Sequence, residues 1–168
     1  VIYSGRLAEL SASQMQRQLS NQGYLDAVVD TMQEAKGKKM KLTYQLHPGT
    51  PYHVRKYEYT LYDERVSRIL SRFQRFTSIR EGIMFDKAVL EEERDRMSNM
   101  LRNLGYYTFS KENLYYRADT TLNSHQVDLY LTPREPPDST GFHRYNFRNV
   151  TIWSGYDPVN DDNEENFQ

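Results

Sequence analysis

The stretch Leu101-Arg102-Asn103-Leu104-Gly105-Tyr106 decides the fold, because Leu19-Ser20-Asn21-Gln22-Gly23-Tyr24 shows the same pattern 82 residues earlier. Each stretch ends an apolar periodic segment with glycine and tyrosine. Glycine is common just past the last helical turn, where the backbone is left-handed. Each copy therefore predicts a helix that ends at its glycine and a chain that turns back immediately afterwards.

Two further patterns recur in the same order downstream. Leu42, Tyr44 and Leu46 alternate with polar residues, and Val127, Leu129 and Leu131 do so 85 residues later. The spacing two, three, two of Tyr52, Val54, Tyr57 and Tyr59 returns at an offset of 93 in Tyr145, Phe147, Val150 and Ile152. Period-2 alternation indicates half-buried strands. Repetition of three elements in one order predicts tandem copies of one small unit.

The expected elements follow from these signals. A capping box at Ser11 is expected to begin a helix over about 12–22, and Asp63 and Asp86 are expected to cap two later helices. The first of these carries an apolar stripe from Val66 to Phe76, and the second covers 87–104. The predicted strands are 24–32, 40–46, 52–61, 106–118, 126–132 and 145–153.

A tandem β-α-α-β-β unit of this kind resembles the POTRA domain of barrel assembly and translocation proteins. The resemblance is carried by the two Gly-Tyr helix ends, by the Pro48-Gly49 break between an alternating and an aromatic strand, and by the stretch from Leu122 to Leu129. Among these proteins, the sequence resembles in particular the BamA/TamA family of outer-membrane assembly factors, which are of the bacterial surface antigen type. The resemblance implies an α+β fold of tandem POTRA modules, each a three-stranded mixed sheet packed on two helices.

Four segments are expected on this basis. Residues 1–50 form a partial module of one helix and two strands, and residues 51–135 form a complete module. Residues 142–153 are the first strand of a following module. Residues 154–168 form an acidic tail that is expected to be disordered, since it has five acidic and no basic residues.

The resemblance implies that an open sheet edge receives an incoming client strand by β-augmentation. The edge is expected in the strand after each Gly-Tyr. Its candidate residues are Tyr106, Tyr107, Phe109, Leu114, Tyr115 and Tyr116 in the complete module, and Tyr24, Ala27, Val29 and Thr31 in the partial one. The alternative is that these residues only pack the sheet onto its helices. Proline at Phe109 or Tyr115 should weaken client binding if the N–H there faces the open edge.

The expected partners are unfolded outer-membrane proteins or assembly partners in the periplasm and inner membrane. The expected location is the periplasmic side of the outer membrane of a Gram-negative bacterium, with the parent protein embedded through a β-barrel. The alternative function is a rigid periplasmic spacer that docks an inner-membrane or lipoprotein partner and binds no client. The chain begins at Val1 without methionine and is interpreted as a soluble piece of a longer protein.

Composition argues against several functional classes. A formal net charge of −1 gives no global field that would attract nucleic acid. The four histidines lack metal-ligand spacing, cysteine is absent, and no nucleophile or phosphate-loop motif occurs. We therefore predict no enzyme activity, no catalytic residues, no metal site and no cofactor. The run Glu91, Glu92 and Glu93 is interpreted as the solvated face of an amphipathic helix.

Overall fold

A computed structural model describes residues 4–59, 64–122, 124–134 and 142–152. The elements in chain order are α1 (Gly5–Asn21), β1 (Val28–Lys36), β2 (Lys39–His47), β3 (His53–Tyr59), α2 (Glu64–Phe73), α3 (Lys87–Asn103), β4 (Leu114–Asp119) and β5 (Gln126–Pro133). Short 3-10 turns follow α2 at Gln74–Phe76 and precede β4 at Lys111–Asn113.

The second half of the chain is one β-α-α-β-β unit. Its strands lie in the order β3-β5-β4, with β3 parallel and β4 antiparallel to the central β5. Both helices contribute to a single buried core with the sheet, since Leu70 of α2, Met97 of α3 and Leu129 of β5 are completely buried in one cluster. The predicted fold class, an α+β unit with a mixed three-stranded sheet on two helices, is confirmed.

The described part of the first half contains counterparts of α3, β4 and β5 only. Helix α1 contacts β1, and β1 and β2 form an antiparallel two-stranded sheet. The buried core cluster runs from Val54 to Leu131 and includes no residue of this half. Here the buried apolar residues are only Ala8, Ala12 and Ala27 among those that the structure describes. The core of the second half is therefore not shared with the first half, which has no comparable cluster among its described residues. The predicted module boundaries remain predictions.

The repeated helix end has the same backbone hydrogen bonds in both copies. Helices α1 and α3 begin and end 82 residues apart, at 5 and 87 and at 21 and 103. The N–H of Tyr24 donates to Leu19 and the N–H of Tyr106 donates to Leu101, each at 3.0 Å. Gly23 and Gly105 both have φ of +96°. This is a Schellman motif, and it confirms that both glycines end their helices.

The two hairpins also correspond in register. A two-residue turn at 37–38 joins β1 to β2, so Lys36 and Lys39 form the hydrogen-bonded pair that closes the hairpin. Hydrogen-bonded and non-hydrogen-bonded pairs alternate along an antiparallel ladder. Val29 is seven residues before Lys36, so Val29 and Leu46 form a non-hydrogen-bonded pair. In the second half the equivalent pair is Tyr116 and Leu131. Leu46 and Leu131 thus occupy equivalent places, at the 85-residue offset read from the sequence.

Helix α1 begins seven residues earlier than predicted, at Gly5 rather than at Ala12. The predicted capping serine, Ser11, lies inside the helix and its hydroxyl donates to the carbonyl of Leu7 at 2.9 Å. Residues 6–10 are mostly strong helix formers, so the helix extends upstream through them. The predicted cap of α3 is confirmed, because the Asp86 carboxylate accepts from the N–H of Ala88 at 2.8 Å.

The strands that follow the Gly-Tyr pairs begin later than predicted. Strand β1 starts at residue 28 instead of 24, and β4 starts at 114 instead of 106. The reason is that both helix ends continue into a further turn, in which Ala27 donates to Tyr24 and Phe109 donates to Tyr106. The predicted strands at 40–46 and 126–132 are confirmed as β2 and β5.

The predicted final strand is not formed over its described part, residues 145–152. Tyr145 nevertheless joins the end of α3 as Tyr52 joins the end of α1. Its N–H donates to the Gly105 carbonyl at 2.7 Å, and the N–H of Tyr52 donates to the Gly23 carbonyl at 2.8 Å. Asp63, Trp153, the loop 135–141 and the tail 154–168 lie outside the described residues.

Candidate binding edge

Strand β4 is an edge strand whose outer side is unpaired. It pairs with β5 through six residue pairs, from Leu114 with Pro133 to Asp119 with Asp128. In the described residues no other backbone group bonds to it. An unpaired edge offers a row of backbone donors and acceptors to an incoming strand.

The register shows which backbone groups face outward. The N–H of Arg134 donates to the carbonyl of Asn113 at 2.6 Å, which identifies these two residues as a hydrogen-bonded antiparallel pair. Because such pairs recur every second residue, Tyr115, Arg117 and Asp119 bond to β5. The N–H and C=O groups of Leu114, Tyr116 and Ala118 therefore face the open edge.

The opposite edge of this sheet, on β3, is covered at its start. Its residue Val54 donates to Ile83 at 2.8 Å and accepts from Gly82 at 2.7 Å. Tyr52, just before the strand, accepts from Phe85 at 2.8 Å. The segment 82–85 thus lies along the start of β3, and the Gln74 side chain donates to the carbonyl of Tyr57 further along that strand at 3.4 Å. No such partner bonds to the outer side of β4 in the described part of the chain.

The sequence-predicted residues of the complete module separate into two groups. Leu114, Tyr115 and Tyr116 lie in β4. Tyr106 and Phe109 lie before the strand and are buried in the core, at 6% and 1% exposure. Their positions favour the alternative reading, packing onto the helices. Proline at Phe109 or Tyr115 would not test the edge, since the N–H of Phe109 bonds to Tyr106 and that of Tyr115 faces β5.

Tyr107 is also outside the strand. It is 72% exposed, and its ring meets that of Tyr145 edge-on at 6.5 Å between centroids. The edge residue that sequence reasoning missed is Ala118, whose backbone faces outward at the end of β4. Its small side chain does not stand out in the sequence. The alternation of hydrogen-bonded pairs between β4 and β5 identifies it.

In the partial module Val29 and Thr31 lie in β1, and their backbone groups face the outer side of that strand. Tyr24 and Ala27 lie in the turn before β1, and Ala27 is buried at 2% exposure. Two of the four candidates therefore occupy an edge, and the other two belong to the helix end.

A buried polar cluster lies beneath the edge strand. Glu93 of α3 is 2% exposed and accepts from the hydroxyl groups of Tyr59 and Tyr57 at 3.3 and 3.5 Å. Arg96 pairs with the same carboxylate. The interpretation of Glu93 as part of a solvated face is therefore wrong, because its helical position faces the sheet. Glu92 is exposed as predicted.

Tyr116 connects this cluster to the open edge. Its ring lies 6.3 Å from that of Tyr57, and its buried hydroxyl has no hydrogen-bond partner among the described residues. Burial raises the pKa of Tyr116 above its usual value, so the phenol stays neutral.

The other face of the sheet has aromatic and cationic side chains. The Arg117 guanidinium lies 4.9 Å from the ring centroid of Tyr130, and the Lys56 ammonium lies 5.9 Å from it. Arg134 lies 5.8 Å from the ring of Tyr115. Cation–π contacts of this kind hold the rings and cations in place. If a further strand paired with β4, every second side chain of that strand would lie on this face, beside Tyr115 and Arg117.

The residues that the structure describes include no group of three or more His, Asp or Glu side chains that could hold a metal ion. None of the helices in this part of the chain is long and apolar enough to cross a membrane.

No protein-family model matches the sequence, and a search of curated proteins finds no match. Solved structures do match. The chain is similar to BamA from Haemophilus ducreyi lacking POTRA domains 1-3, at 17% identity over 80% of this chain and 24% of that one, with a TM-score of 0.47. It is similar to Haemophilus influenzae BamA POTRA3-5, at 17% identity over 74% of this chain and 46% of that one, with a TM-score of 0.45.

A third similar structure is the N-terminal domain of Omp85 from Thermosynechococcus elongatus, at 14% identity over 81% of this chain and 55% of that one, with a TM-score of 0.37. The chain thus spans from about a quarter to just over half of the length of these structures. Likeness at this level carries no argument about activity. POTRA-domain structures of BamA and a domain of Omp85 are nevertheless among the solved structures to which the chain is similar.

Proposed function

We propose that this chain is a polypeptide-binding scaffold, on the periplasmic side of the outer membrane, of an outer-membrane β-barrel assembly or translocation protein. The open edge of β4 is the observation that supports it. The periplasmic location and the kind of parent protein are proposed from the sequence resemblance to POTRA modules. In this proposal the chain has no enzyme activity, and its partners are unfolded outer-membrane proteins or other members of the assembly machinery.

The edge would act by adding a client strand to the sheet. Leu114, Tyr116 and Ala118 present one donor and one acceptor each, and alternate residues of a strand are about 6.6 Å apart. A client in extended conformation has matching groups whatever its sequence. Backbone pairing therefore supplies affinity that tolerates many clients, and the side chains next to Tyr115 and Arg117 add a modest preference.

The closing experiment is a titration of the isotope-labelled chain with a synthetic peptide of alternating apolar and polar residues, followed by NMR. Strand addition predicts shifts concentrated on residues 114–119. The variant Ala118→Pro removes one outward N–H without touching the ladder to β5, so it should weaken binding about fivefold, the equivalent of about 1 kcal/mol for one hydrogen bond.

A matched control is Ala35→Pro, which removes an outward N–H from the edge of β1. It should leave the affinity unchanged if β4 receives the client. Equal weakening by both variants, or shifts spread over the helices, would assign the binding to another surface.

The alternative function is a rigid spacer between a barrel and an inner-membrane or lipoprotein partner. One observation favours it: the two halves are joined by a direct backbone contact, in which Tyr52 bonds to Gly23 while its own carbonyl accepts from Phe85. Such contacts restrain the angle between modules. Unchanged spectra with several unrelated barrel-derived peptides would favour the spacer over client binding.

A further inference from the structure

A groove on the helical side of the complete module has a floor of apolar side chains. It has a volume of about 470 Å³ and lies where α2 meets the end of α3. Its floor consists of Ile69 and Phe73 from α2 with Leu104 and Tyr106 from the end of α3. Tyr106 is buried and the other three are half-buried. The groove therefore offers apolar surface that water reaches and that the core does not fully cover.

The rim of the same groove is made of arginines. Arg68 and Arg72 come from α2, and Arg144 comes from the segment after the sheet. Residues four apart lie on one face of a helix, one turn from each other. Arg68 and Arg72 therefore form one row beside the row of Ile69 and Phe73.

Two of the three rim arginines, Arg72 and Arg144, carry positive charge that is not paired with a carboxylate of the described residues. Arg72 and Arg144 are exposed, and neither forms an ion pair with a residue of the described chain. Arg75 adds a further exposed cation in the 3-10 turn that follows α2. The whole sequence has a net charge of −1, so this concentration of cations is local rather than a general property of the surface.

We propose that this groove binds an acidic peptide segment of a partner protein, with an apolar side chain placed between carboxylates. Guanidinium groups match carboxylates in geometry and form two parallel hydrogen bonds with each. The apolar floor would hold an aromatic or aliphatic side chain of the same segment. Only a ligand that has both carboxylates and an apolar side chain can contact the rim and the floor at the same time.

The concave shape favours a peptide over the other anionic occupants. A small inorganic anion would contact the arginines and leave the apolar floor wet. A flat anionic membrane would meet the exposed arginines of α2 but could not reach the half-buried Phe73 and the buried Tyr106. The groove lies on the helices, apart from the edge of β4, so this binding does not depend on the proposed strand addition.

The experiment is a calorimetric titration of the chain with the blocked peptide Glu-Asp-Phe-Glu-Asp-Leu. We expect binding that weakens as salt is added, because exposed charges are screened within about 10 Å at 0.1 M salt. Arg72→Glu should lower the affinity at least about tenfold, which corresponds to about 1.4 kcal/mol. Arg80→Glu, the same charge reversal at another exposed arginine, should have little effect.

Two further arms separate the proposal from its competitors. A peptide of equal charge with glycine in place of its phenylalanine and leucine should bind several-fold more weakly; equal binding would reduce the groove to a charged patch and overturn the proposal. Vesicles of phosphatidylglycerol form the other arm. If the chain binds vesicles through Arg72 and does not bind the peptide, the groove contacts a membrane and the proposal is wrong. Circular dichroism of both variants checks that they fold.

Discussion

Glu93 and Arg96 form a bidentate ion pair within α3 in which the carboxylate is buried and the guanidinium is not. The two hydrogen bonds measure 2.8 and 2.7 Å, and the side chains are 2% and 30% exposed, respectively. Hydrogen bonding to Glu93 raises the pKa of Arg96. The carboxylate also accepts from two tyrosine hydroxyls of β3, so the pair joins the helix to the sheet.

This asymmetry predicts that the two partners are not equally costly to remove. Arg96→Ala leaves a buried carboxylate without its cation and should lower the free energy of unfolding by about 3 kcal/mol. Glu93→Gln leaves a guanidinium that water can reach and an amide that can still bond to the tyrosines, so it should cost about 1 to 2 kcal/mol. Urea unfolding followed by circular dichroism measures both.

The outcome that contradicts this account is an equal or reversed order of the two variants. A useful control is Asp95→Asn, because Asp95 pairs with Lys111 and the two side chains are 51% and 42% exposed, respectively. Exposed pairs contribute little, so that variant should change the free energy of unfolding by less than about 1 kcal/mol.

The duplicated architecture could be predicted from sequence because its signals are local. The Gly23 and Gly105 helix ends depend on one left-handed residue, and the Leu42 and Val127 strands depend on simple alternation. Both kinds of signal survive in the structure. The N-cap at Asp86 was also found because its carboxylate needs only the next turn of its own helix.

The remaining features could not be predicted because they depend on contacts across the fold. The burial of Glu93 is set by the sheet that α3 packs on, which a count of acidic residues does not show. The strand β4 begins late because Phe109 belongs to a turn that packs in the core. The outward N–H of Ala118 follows from pairing with β5, and the rim of Arg72 and Arg144 brings together residues far apart in sequence.

Gly105 is predicted to tolerate no side chain. Its φ is +96°, and a Cβ there would lie 2.6 Å from the carbonyl oxygen of Tyr145. Gly105→Ala should therefore combine the cost of a left-handed alanine, about 1 kcal/mol, with a clash against the backbone of the following segment. We expect a total loss of about 2 to 3 kcal/mol, measured by thermal or urea unfolding.

Gly82 supplies the matched control for this variant. It has a similar φ of +83°, and among the described residues nothing lies within 4 Å of the place that a Cβ would occupy there. Gly82→Ala should show only the conformational cost, about 1 kcal/mol. If the two variants lose equal stability, the close approach of Tyr145 to the end of α3 contributes nothing.

The ion pair of Asp128 predicts a dependence of stability on pH. Asp128 is buried in β5, and its carboxylate accepts from Arg55 at 2.8 Å and through a second bond. Hydrogen bonds from Arg55 hold the pKa of Asp128 below its usual value. A lowered folded-state pKa stabilises the protein above the unfolded value of about 3.9, and that contribution is lost as pH falls through the folded pKa.

The measurement compares the wild-type chain with Asp128→Asn between pH 7 and pH 2. At pH 7 the variant should be less stable by about 1 to 2 kcal/mol, and the difference should shrink as pH drops below about 4. Glu92→Gln, at an exposed position, should show no comparable change. A difference that stays constant down to pH 2 would mean that the charge of Asp128 is not what stabilises the pair.

The alternation of inward and outward backbone groups along β4 predicts unequal losses of stability when proline replaces neighbouring residues. Arg117 bonds to Tyr130 of the central strand, so Arg117→Pro removes a ladder hydrogen bond and should lower the free energy of unfolding by at least about 2 kcal/mol. Ala118 faces the open edge, so Ala118→Pro should cost about 1 kcal/mol or less. Urea unfolding of both variants, with Arg117→Ala as the control for loss of the cation above Tyr130, separates the backbone effect from the side-chain effect. If Ala118→Pro is as damaging as Arg117→Pro, the edge is paired and cannot receive a strand.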